Sequence, residues 1–304
     1  MIHKFSTIVL SLFLAIPICA QVPNSDLAKR VLIAPESVFK MFREAEMNPV
    51  NHELTEIERA KVEKAFAILP PLYQKILKVH LHSISFMDNM PNTALTSPVE
   101  SSDSMQLFNI TFRAGILNET ISEWATQKEY TCYDRSANPD FEISIEAGEL
   151  AAIQYVLLHE ATHVVDAVLN ITPHPKERGD LVAPTPYTQD IWYKMNIPAK
   201  PFIDSLLEKT RFRSGKMVPI ALAPEIYKAL RKTPFASLYG MASWFEDLAE
   251  LLTIYHLTQK MDQPFRVVVK KNNLELSKFE PMKNKGVKKR LRQLAFFYKN
   301  SNNS

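Results

Sequence analysis

Residues 150–169 read LAAIQYVLLHEATHVVDAVL, a run without Gly or Pro in which apolar side chains recur at helical spacing. The run predicts a mostly buried α-helix. Because His159 and His163 are four positions apart, a helix places both imidazoles on one face, with Glu160 beside them. Burying these groups is costly unless a partner replaces their hydration, as a metal ion with its water does. HEATH therefore predicts a zinc site with Glu160 near a water, rather than the alternative of two hydrogen-bonded core histidines.

A zinc site needs a third protein ligand. A metzincin has another His six residues after the second one, and Leu169 stands there instead, which excludes that class. The other common arrangement takes a Glu from a second helix. Residues 243–257, SWFEDLAELLTIYHL, form an apolar-periodic helix in which Glu246 and Glu250 are one turn apart. One of them can ligate the metal while the other braces a histidine; the alternative is a pair of solvated charges.

Two short segments together resemble a known family. Residues 239–250, YGMASWFEDLAE, resemble the Tyr-Gly and Glu-x-x-x-Glu element of the anthrax lethal-factor-like zinc metallopeptidase domains, with the Tyr seven residues before the ligating Glu. Residues 159–166, HEATHVVD, are similar to the His-Glu-x-x-His-x-x-Asp pattern of the first helix of that family. The resemblance implies that Asp166 and Glu250 orient the metal ligands from behind.

The resemblance also implies the roles of the central residues. It implies a gluzincin-type peptidase that holds one zinc ion with His159, His163 and Glu246. Glu160 is implied to be the general base, and Tyr239 to donate a hydrogen bond to the oxyanion of the substrate. The implied partner is a peptide or protein substrate.

The first residues of the chain predict export. Residues 1–20 have a short basic start, an apolar run and a small residue at position 20, which is the plan of a signal peptide for a secreted or periplasmic protein. A lipoprotein acylated at Cys19 is less favoured because the two preceding residues are not small. We expect no transmembrane segment after cleavage. Cys132 is then the remaining thiol, so no internal disulfide can form, and a packed Cys is predicted.

The composition predicts an α-rich α+β fold. The chain is 46% hydrophobic and 23% charged, and its 6 Gly against 20 Pro indicate long helices with few tight hairpins. Three β-like runs, at 79–86, 105–112 and 141–145, predict a small sheet followed by a helical zincin active site. The predicted parts of one metallopeptidase-like domain over 21–304 are a helical part at about 27–78, a catalytic core at about 79–260 and a basic C-terminal helix at about 283–298.

Residues 170–238 contain several Pro-rich stretches and look like an insertion over the active site. Such a segment can carry substrate-binding loops, a lid or a competing metal ligand. His174 and Asp190 are the candidates for a competing ligand. Both are disfavoured because neither lies on an element whose pattern fixes its direction.

The charge of the chain argues against a nucleic-acid partner, because the formal net charge is only +3. The sequence near the C-terminus nevertheless contains a basic cluster. Its spacing with nearby apolar residues predicts an amphipathic helix with a solvated cationic face, and a site for a polyanion or cell wall is the less favoured alternative. The cluster consists of Lys283, Lys285, Lys288, Lys289, Arg290 and Arg292.

Two functional hypotheses follow from the sequence. The first is a secreted zinc-dependent endopeptidase that hydrolyses peptide bonds with a metal-activated water. The second is a catalytically inactive, zincin-like secreted binding protein that uses the same cleft for a partner or an envelope ligand. The combination of Glu160, Tyr239 and Glu246 favours the first, because a binding module has no physical need for a general base beside two ligands.

Overall fold

The fold is α+β, as the composition and periodicity predicted. The computed structural model describes residues 26–99, 105–177 and 180–299, so the predicted signal peptide lies outside the described residues. The helices are α1 (Glu36–Glu44), α2 (Glu56–Ala67), α3 (Pro71–His80), α4 (Ile121–Tyr130), α5 (Ala152–Leu169), α6 (Arg211–Ser214), α7 (Ala223–Leu230), α8 (Trp244–Gln259) and α9 (Lys285–Arg290). The strands are β1 (Val50–Asn51), β2 (Leu81–Asp88), β3 (Ala94–Pro98), β4 (Phe108–Arg113), β5 (Tyr133–Asp134), β6 (Phe141–Glu146), β7 (Trp192–Lys194), β8 (Ile197–Pro198), β9 (Val218–Pro219), β10 (Arg266–Lys271) and β11 (Leu274–Phe279).

The strands form several small sheets rather than one. The largest has the order β1-β2-β4-β3, in which β2 and β4 are parallel and β3 is antiparallel to β4 at the edge. A second, antiparallel sheet has the order β11-β10-β6. The predicted run at 141–145 therefore pairs with a C-terminal hairpin and not with the two earlier runs. Alternating apolar residues predict a strand, but they carry no information about its partner.

Helix α5 lies in the centre of the core. It packs against α2, α3, α4, α8 and strand β3. Full burial of a large apolar side chain contributes about 1.5–3 kcal/mol, so contacts on several sides fix both the position and the rotation of the helix. The helix ends at Asn170, which adopts the left-handed conformation with φ 51°. Its buried apolar side chains are Ala152, Ile153, Tyr155, Val156, Leu157, Leu158, Ala161, Val164 and Val165.

Local sequence signals set the starts of several helices. Thr55 and Thr120 open capping boxes at the first turns of α2 and α4. Ser243 caps α8, and its Oγ accepts a hydrogen bond from the backbone N–H of Glu246 at 3.3 Å. The cap therefore places Glu246 in the first turn of α8, where the helix dipole favours a carboxylate.

Segment 170–238, predicted as an insertion, is built into the same core. Strand β9 pairs with β5, and α7 packs against β11. Leu207 and Phe235 are fully buried. The segment also reaches the predicted site, because the ring of Phe212 lies edge-on to Tyr239 with 4.9 Å between the ring centroids.

The predicted C-terminal helix at 283–298 is corrected by the structure. The chain there forms a short 3-10 helix (Pro281–Lys283), then α9, then another 3-10 helix (Leu291–Tyr298). Arg290, predicted to lie on a solvated face, is only 4% exposed and donates to both carboxylate oxygens of Asp247 at 2.8 and 2.6 Å. The helical pattern could not reveal this pair, because Asp247 lies on α8, far from Arg290 in sequence, and the two side chains meet only in the folded protein.

Cys132 is a free, buried cysteine, in agreement with the prediction of a packed thiol. Burial raises the pKa of this thiol. Within the ranges that the structure describes, we find no helix with both the length and the hydropathy needed to cross a bilayer.

Candidate metal centre

His159 and His163 lie one turn apart on α5 and point to the same place. Their ring centroids are 5.0 Å apart, with the ring planes at 80°. His159 is buried and His163 is half-buried. The helical spacing that the sequence offered thus presents two imidazole nitrogens to one volume.

Glu246, on α8, completes a group of three side chains that could hold a metal ion. Its Oε2 lies 3.0 Å from Nε2 of His159 and 3.7 Å from Nε2 of His163. One ligand atom from each of the three residues lies within 4.8 Å of the other two. Zinc ligands at about 2.1 Å in a tetrahedron are about 3.4 Å from one another, so the observed spacings suit such an ion. The donor set also fits, since two imidazoles and one carboxylate are common zinc ligands.

Glu250 lies one turn after Glu246 on α8, behind the ring of His159. It accepts hydrogen bonds from the hydroxyls of Tyr155, at 2.9 Å, and Ser237, at 2.6 Å. Its Oε1 lies 3.2 Å from Nδ1 of His159, an ion-pair distance, but off the line of a good hydrogen bond. A carboxylate in this position fixes the orientation of the ring and leaves Nε2 for a metal.

The two carboxylates create an environment for positive charge. Burial disfavours the imidazolium of His159, but the hydrogen bond of Glu246 and the negative charges of Glu246 and Glu250 outweigh burial and raise its pKa to about 9. Burial also disfavours ionisation of both glutamates. The charge of His163 lowers the pKa of Glu246 to about 2, and that of Lys128 lowers the pKa of Glu250 to about 2. An arrangement that stabilises an imidazolium here would also stabilise a bound cation.

Glu160 follows His159 on α5 and is not one of the three residues of the candidate metal group. Its Oε2 accepts a hydrogen bond of 2.7 Å from Oγ1 of Thr96 on the edge strand β3. It is half-buried and borders the two cavities beside the histidines. A carboxylate held beside a metal without being taken up by it is placed to exchange a proton with a water in the cleft.

Tyr239 lies over His159, in a short 3-10 helix (Tyr239–Met241) ahead of α8. Its ring stacks on His159 with 5.8 Å between centroids and 23° between planes. Burial, followed by the charges of Glu246 and Glu160, raises the pKa of the Tyr239 hydroxyl well above its usual range. The hydroxyl therefore stays protonated at working pH, which makes it a hydrogen-bond donor and not a base.

Lys128 of α4 is a member of the site that sequence reasoning missed. Its Nζ lies 3.4 Å from the centroid of the Tyr239 ring and 4.0 Å from Oε1 of Glu250. It therefore balances the charge of a buried carboxylate and packs on the aromatic face. Neither Lys128 nor Thr96 belongs to a motif, so only the fold brings them to this place.

Asp166 lies in a different network from the one that the resemblance implied. Its carboxylate accepts hydrogen bonds from the backbone N–H of Thr172, at 2.7 Å, and from the Thr172 hydroxyl, at 2.6 Å. It also pairs with Nε2 of His174 at 3.6 Å. Asp166 thus anchors the chain after α5. His174, a disfavoured ligand candidate, is paired with Asp166 and lines one cavity of the cleft. Asp190, the other candidate, has a left-handed backbone conformation with φ 63°.

The site opens into a cleft with two cavities. One, of about 380 Å³, is bordered by Trp124, Lys128 and Phe212, and the other, of about 420 Å³, by Phe108 and Phe245. His159 lines the first cavity and His163 the second, while both include Glu160, Tyr239 and part of β3. An extended ligand that occupied both cavities would therefore pass the metal group and Glu160 at its middle.

Comparison with protein-family models, with curated proteins and with solved structures gives no match for this chain. The likeness to lethal-factor-like domains therefore remains a resemblance of two short segments. What the geometry supports of it is a group of His159, His163 and Glu246 that could hold a metal ion.

A second buried carboxylate lies behind the site. Glu129 of α4 is 7% exposed and accepts a hydrogen bond from the hydroxyl of Tyr227. Burial raises its pKa to about 7, although the Tyr227 hydrogen bond and the charge of Lys128 act in the opposite direction. The folded protein therefore favours the protonated form of Glu129 over a pH range in which the unfolded chain is ionised.

This shift predicts a pH-dependent stability that Glu129→Gln removes. Because the folded pKa is above the unfolded one, the Glu129 contribution is complete below about pH 4.5 and is lost as the pH rises through about 7. The free energy of unfolding of the variant, relative to wild type, should therefore rise by about 2–3 kcal/mol between pH 4.5 and pH 8. Urea unfolding at both pH values measures it. Glu142→Gln, at an exposed position, should show no such change.

Metal content gives a direct test of the ligand assignment. We expect one zinc ion per chain after purification without chelators, and Glu246→Gln should weaken zinc retention more than Glu250→Gln does. The first change removes a charged ligand, whereas the second removes a group that orients one, a loss of about 10- to 100-fold in affinity. Elemental analysis and competition with a chromogenic chelator measure both. Equal retention in the two variants, or less than about 0.1 zinc per chain in wild type, would contradict the assignment.

Proposed function

We propose that this protein is a secreted zinc-dependent endopeptidase. The observation that carries the proposal is the position of Glu160, which lies beside the ligand group, bonded to Thr96 and facing the cleft. A site built only to hold a metal has no need of a further carboxylate in this place. Tyr239 supports the proposal, because a protonated hydroxyl borders the same cleft.

The proposal assigns a role to each residue of the site. A zinc ion held by His159, His163 and Glu246 would polarise a carbonyl and lower the pKa of a water. Glu160 takes a proton from the attacking water and passes it to the leaving amine. Tyr239 donates to the oxyanion that develops on the substrate carbonyl. Glu250 keeps the His159 ring in the orientation that ligation requires.

The edge strand beside the site supports a peptide as the substrate. Strand β3 pairs with β4 on one side, and within the described ranges its other edge has no partner strand. An extended peptide can add to such an edge through backbone hydrogen bonds. Residues of β3 line both cavities, so chain on either side of the scissile bond has room. Room on both sides supports cleavage within a chain.

Export is part of the proposal and rests on residues 1–20 alone, which lie outside the described residues. The plan of this stretch is that of a secretory signal. Recovery of the protein from the medium or the periplasm, with a new amino terminus at residue 21, supports this part. Retention in the cytoplasm with residues 1–20 intact contradicts it.

The activity is tested by profiling cleavage of a proteome-derived peptide library. The zinc-loaded protein should generate new internal termini, a zinc chelator should abolish them, and added zinc should restore them. The Glu160→Gln protein serves as the matched blank. Saturable binding of peptides by a zinc-loaded wild type that cleaves none of them would instead support the alternative, a zincin-like binding protein.

A further inference from the structure

A large cavity lies apart from the candidate metal centre. It has a volume of about 810 Å³ and shares no lining residue with the two cavities of the cleft. Its walls come from three segments, 231–234, 275–280 and 283–290, with Ile191 and Phe202 at the side. Its volume is in the range of sites for small molecules, at about 300–1,000 Å³.

The lining of this cavity is strongly cationic. Two acidic side chains are present, but each is already paired: Glu275 lies 3.5 Å from Lys278, and Glu280 lies 2.8 Å from Lys283. Four of the cations have no carboxylate within 4.0 Å in the part of the chain that the structure describes; these are Arg231, Lys232, Lys285 and Lys289. Positive charges that converge on a concave surface focus the field and attract anions more strongly than the same charges on a flat surface.

Tight backbone packing holds the cavity in shape. Asn284 donates from its side chain to the carbonyl of Thr233 at 3.2 Å, and Arg290 donates to the carbonyl of Pro234 at 3.1 Å. A Cβ on Gly286 would lie 2.5 Å from the Thr233 carbonyl oxygen, so only Gly allows α9 to approach this closely. The cations therefore stand on a preformed wall, which reduces the entropy cost of binding.

We propose that this cavity binds a small polyanion through its phosphate or sulfate groups. Lysine ammonium and arginine guanidinium groups form charge-assisted hydrogen bonds with such oxygens. Several cations without a carboxylate partner at one cavity favour a ligand with several anionic groups over a single ion. The partly buried ring of Phe202 and the buried ring of Phe279 suit the carbon skeleton of the ligand. The site is independent of the proposed peptidase activity.

The test uses two pairs of basic residues on the same part of the chain. Lys285 and Lys289 line the cavity, whereas Lys288 and Arg292 are exposed outside it. The double variants Lys285→Gln/Lys289→Gln and Lys288→Gln/Arg292→Gln each lose two positive charges and leave the candidate metal centre unchanged. Thermal melting checks that both remain folded.

Calorimetry with inositol hexakisphosphate and sucrose octasulfate at about 0.15 M salt measures binding to the zinc-loaded proteins. We expect one site per chain, weakened at least about tenfold in the cavity variant and within about twofold of wild type in the control. The probe that binds more tightly shows whether phosphate or sulfate is preferred. Equal weakening in both variants, which would indicate a diffuse surface field, or the absence of saturable binding overturns the proposal.

Discussion

Glu160→Gln should lower the turnover number for peptide hydrolysis by at least about 1,000-fold while the protein keeps its zinc and its fold. The substitution preserves shape, and the amide oxygen can still accept the Thr96 hydrogen bond that holds the side chain at 2.7 Å. The amide cannot take a proton from the attacking water. The loss should therefore appear in the turnover number, with the Michaelis constant nearly unchanged.

The measurement pairs steady-state kinetics with zinc analysis of the same samples. Glu142→Gln is the matched control, since it removes an exposed carboxylate of β6 and should change neither quantity. A Glu160→Gln protein with turnover within about threefold of wild type would refute the assignment of the base. A protein that had lost its zinc would show that Glu160 supports the metal and does not serve as the base.

The helices that carry the ligands could be predicted well from the sequence. Periodic apolar residues without Gly or Pro predicted a helix over 150–169, and the structure has α5 at Ala152–Leu169. The predicted helix at 243–257 is α8, Trp244–Gln259. Both helices are buried on several sides, so their sequences carry apolar residues at helical spacing around most of the helix. That pattern can be recognised within each segment, without knowledge of its tertiary contacts. The proximity of His159 and His163 followed from the motif spacing, whereas the choice of Glu246 over Glu250 as their neighbour came only from the family resemblance.

Residues that meet only through tertiary contacts could not be predicted in the same way. Thr96 comes from an edge strand far from α5 in sequence, and Lys128 has no motif around it. Asp166 matched a motif by position, yet its carboxylate accepts hydrogen bonds from Thr172 and lies at an ion-pair distance of 3.6 Å from His174. A motif fixes which face of a helix a side chain occupies. The partners on that face depend on the loop that packs there.

The buried pair of Arg290 and Asp247 also depends on a tertiary contact that the sequence could not predict. The sequence near Arg290 indicated a solvated basic face, but Asp247 adjoins the ligand Glu246 on α8 and is fully buried. Asp247 also accepts a hydrogen bond of 2.9 Å from Nε1 of Trp192. The C-terminal segment therefore supports the helix that supplies the metal ligand. The charges that remain on its surface are divided between open solvent and the cationic cavity.

Tyr239→Phe should lower the turnover number about 100-fold, with little change in zinc content or in the Michaelis constant. The substitution removes only the hydroxyl. The ring that stacks on His159, meets Phe212 edge-on and carries Lys128 Nζ at 3.4 Å from its centroid is retained. A donor aimed at an oxyanion acts mainly in the transition state, where one such hydrogen bond is worth about 2.7–4 kcal/mol.

The turnover number of Tyr239→Phe distinguishes an oxyanion donor from a residue that only packs. If Tyr239 only packs against His159, Phe preserves every ring contact, and the turnover number should stay within about threefold of wild type. Tyr193→Phe removes a hydroxyl from an exposed residue of β7 and should leave both kinetic constants unchanged. If the Tyr239→Phe protein has normal turnover, Tyr239 does not act as the oxyanion donor. Of the residues beside the candidate metal group, Glu160 alone would then support the proposed mechanism.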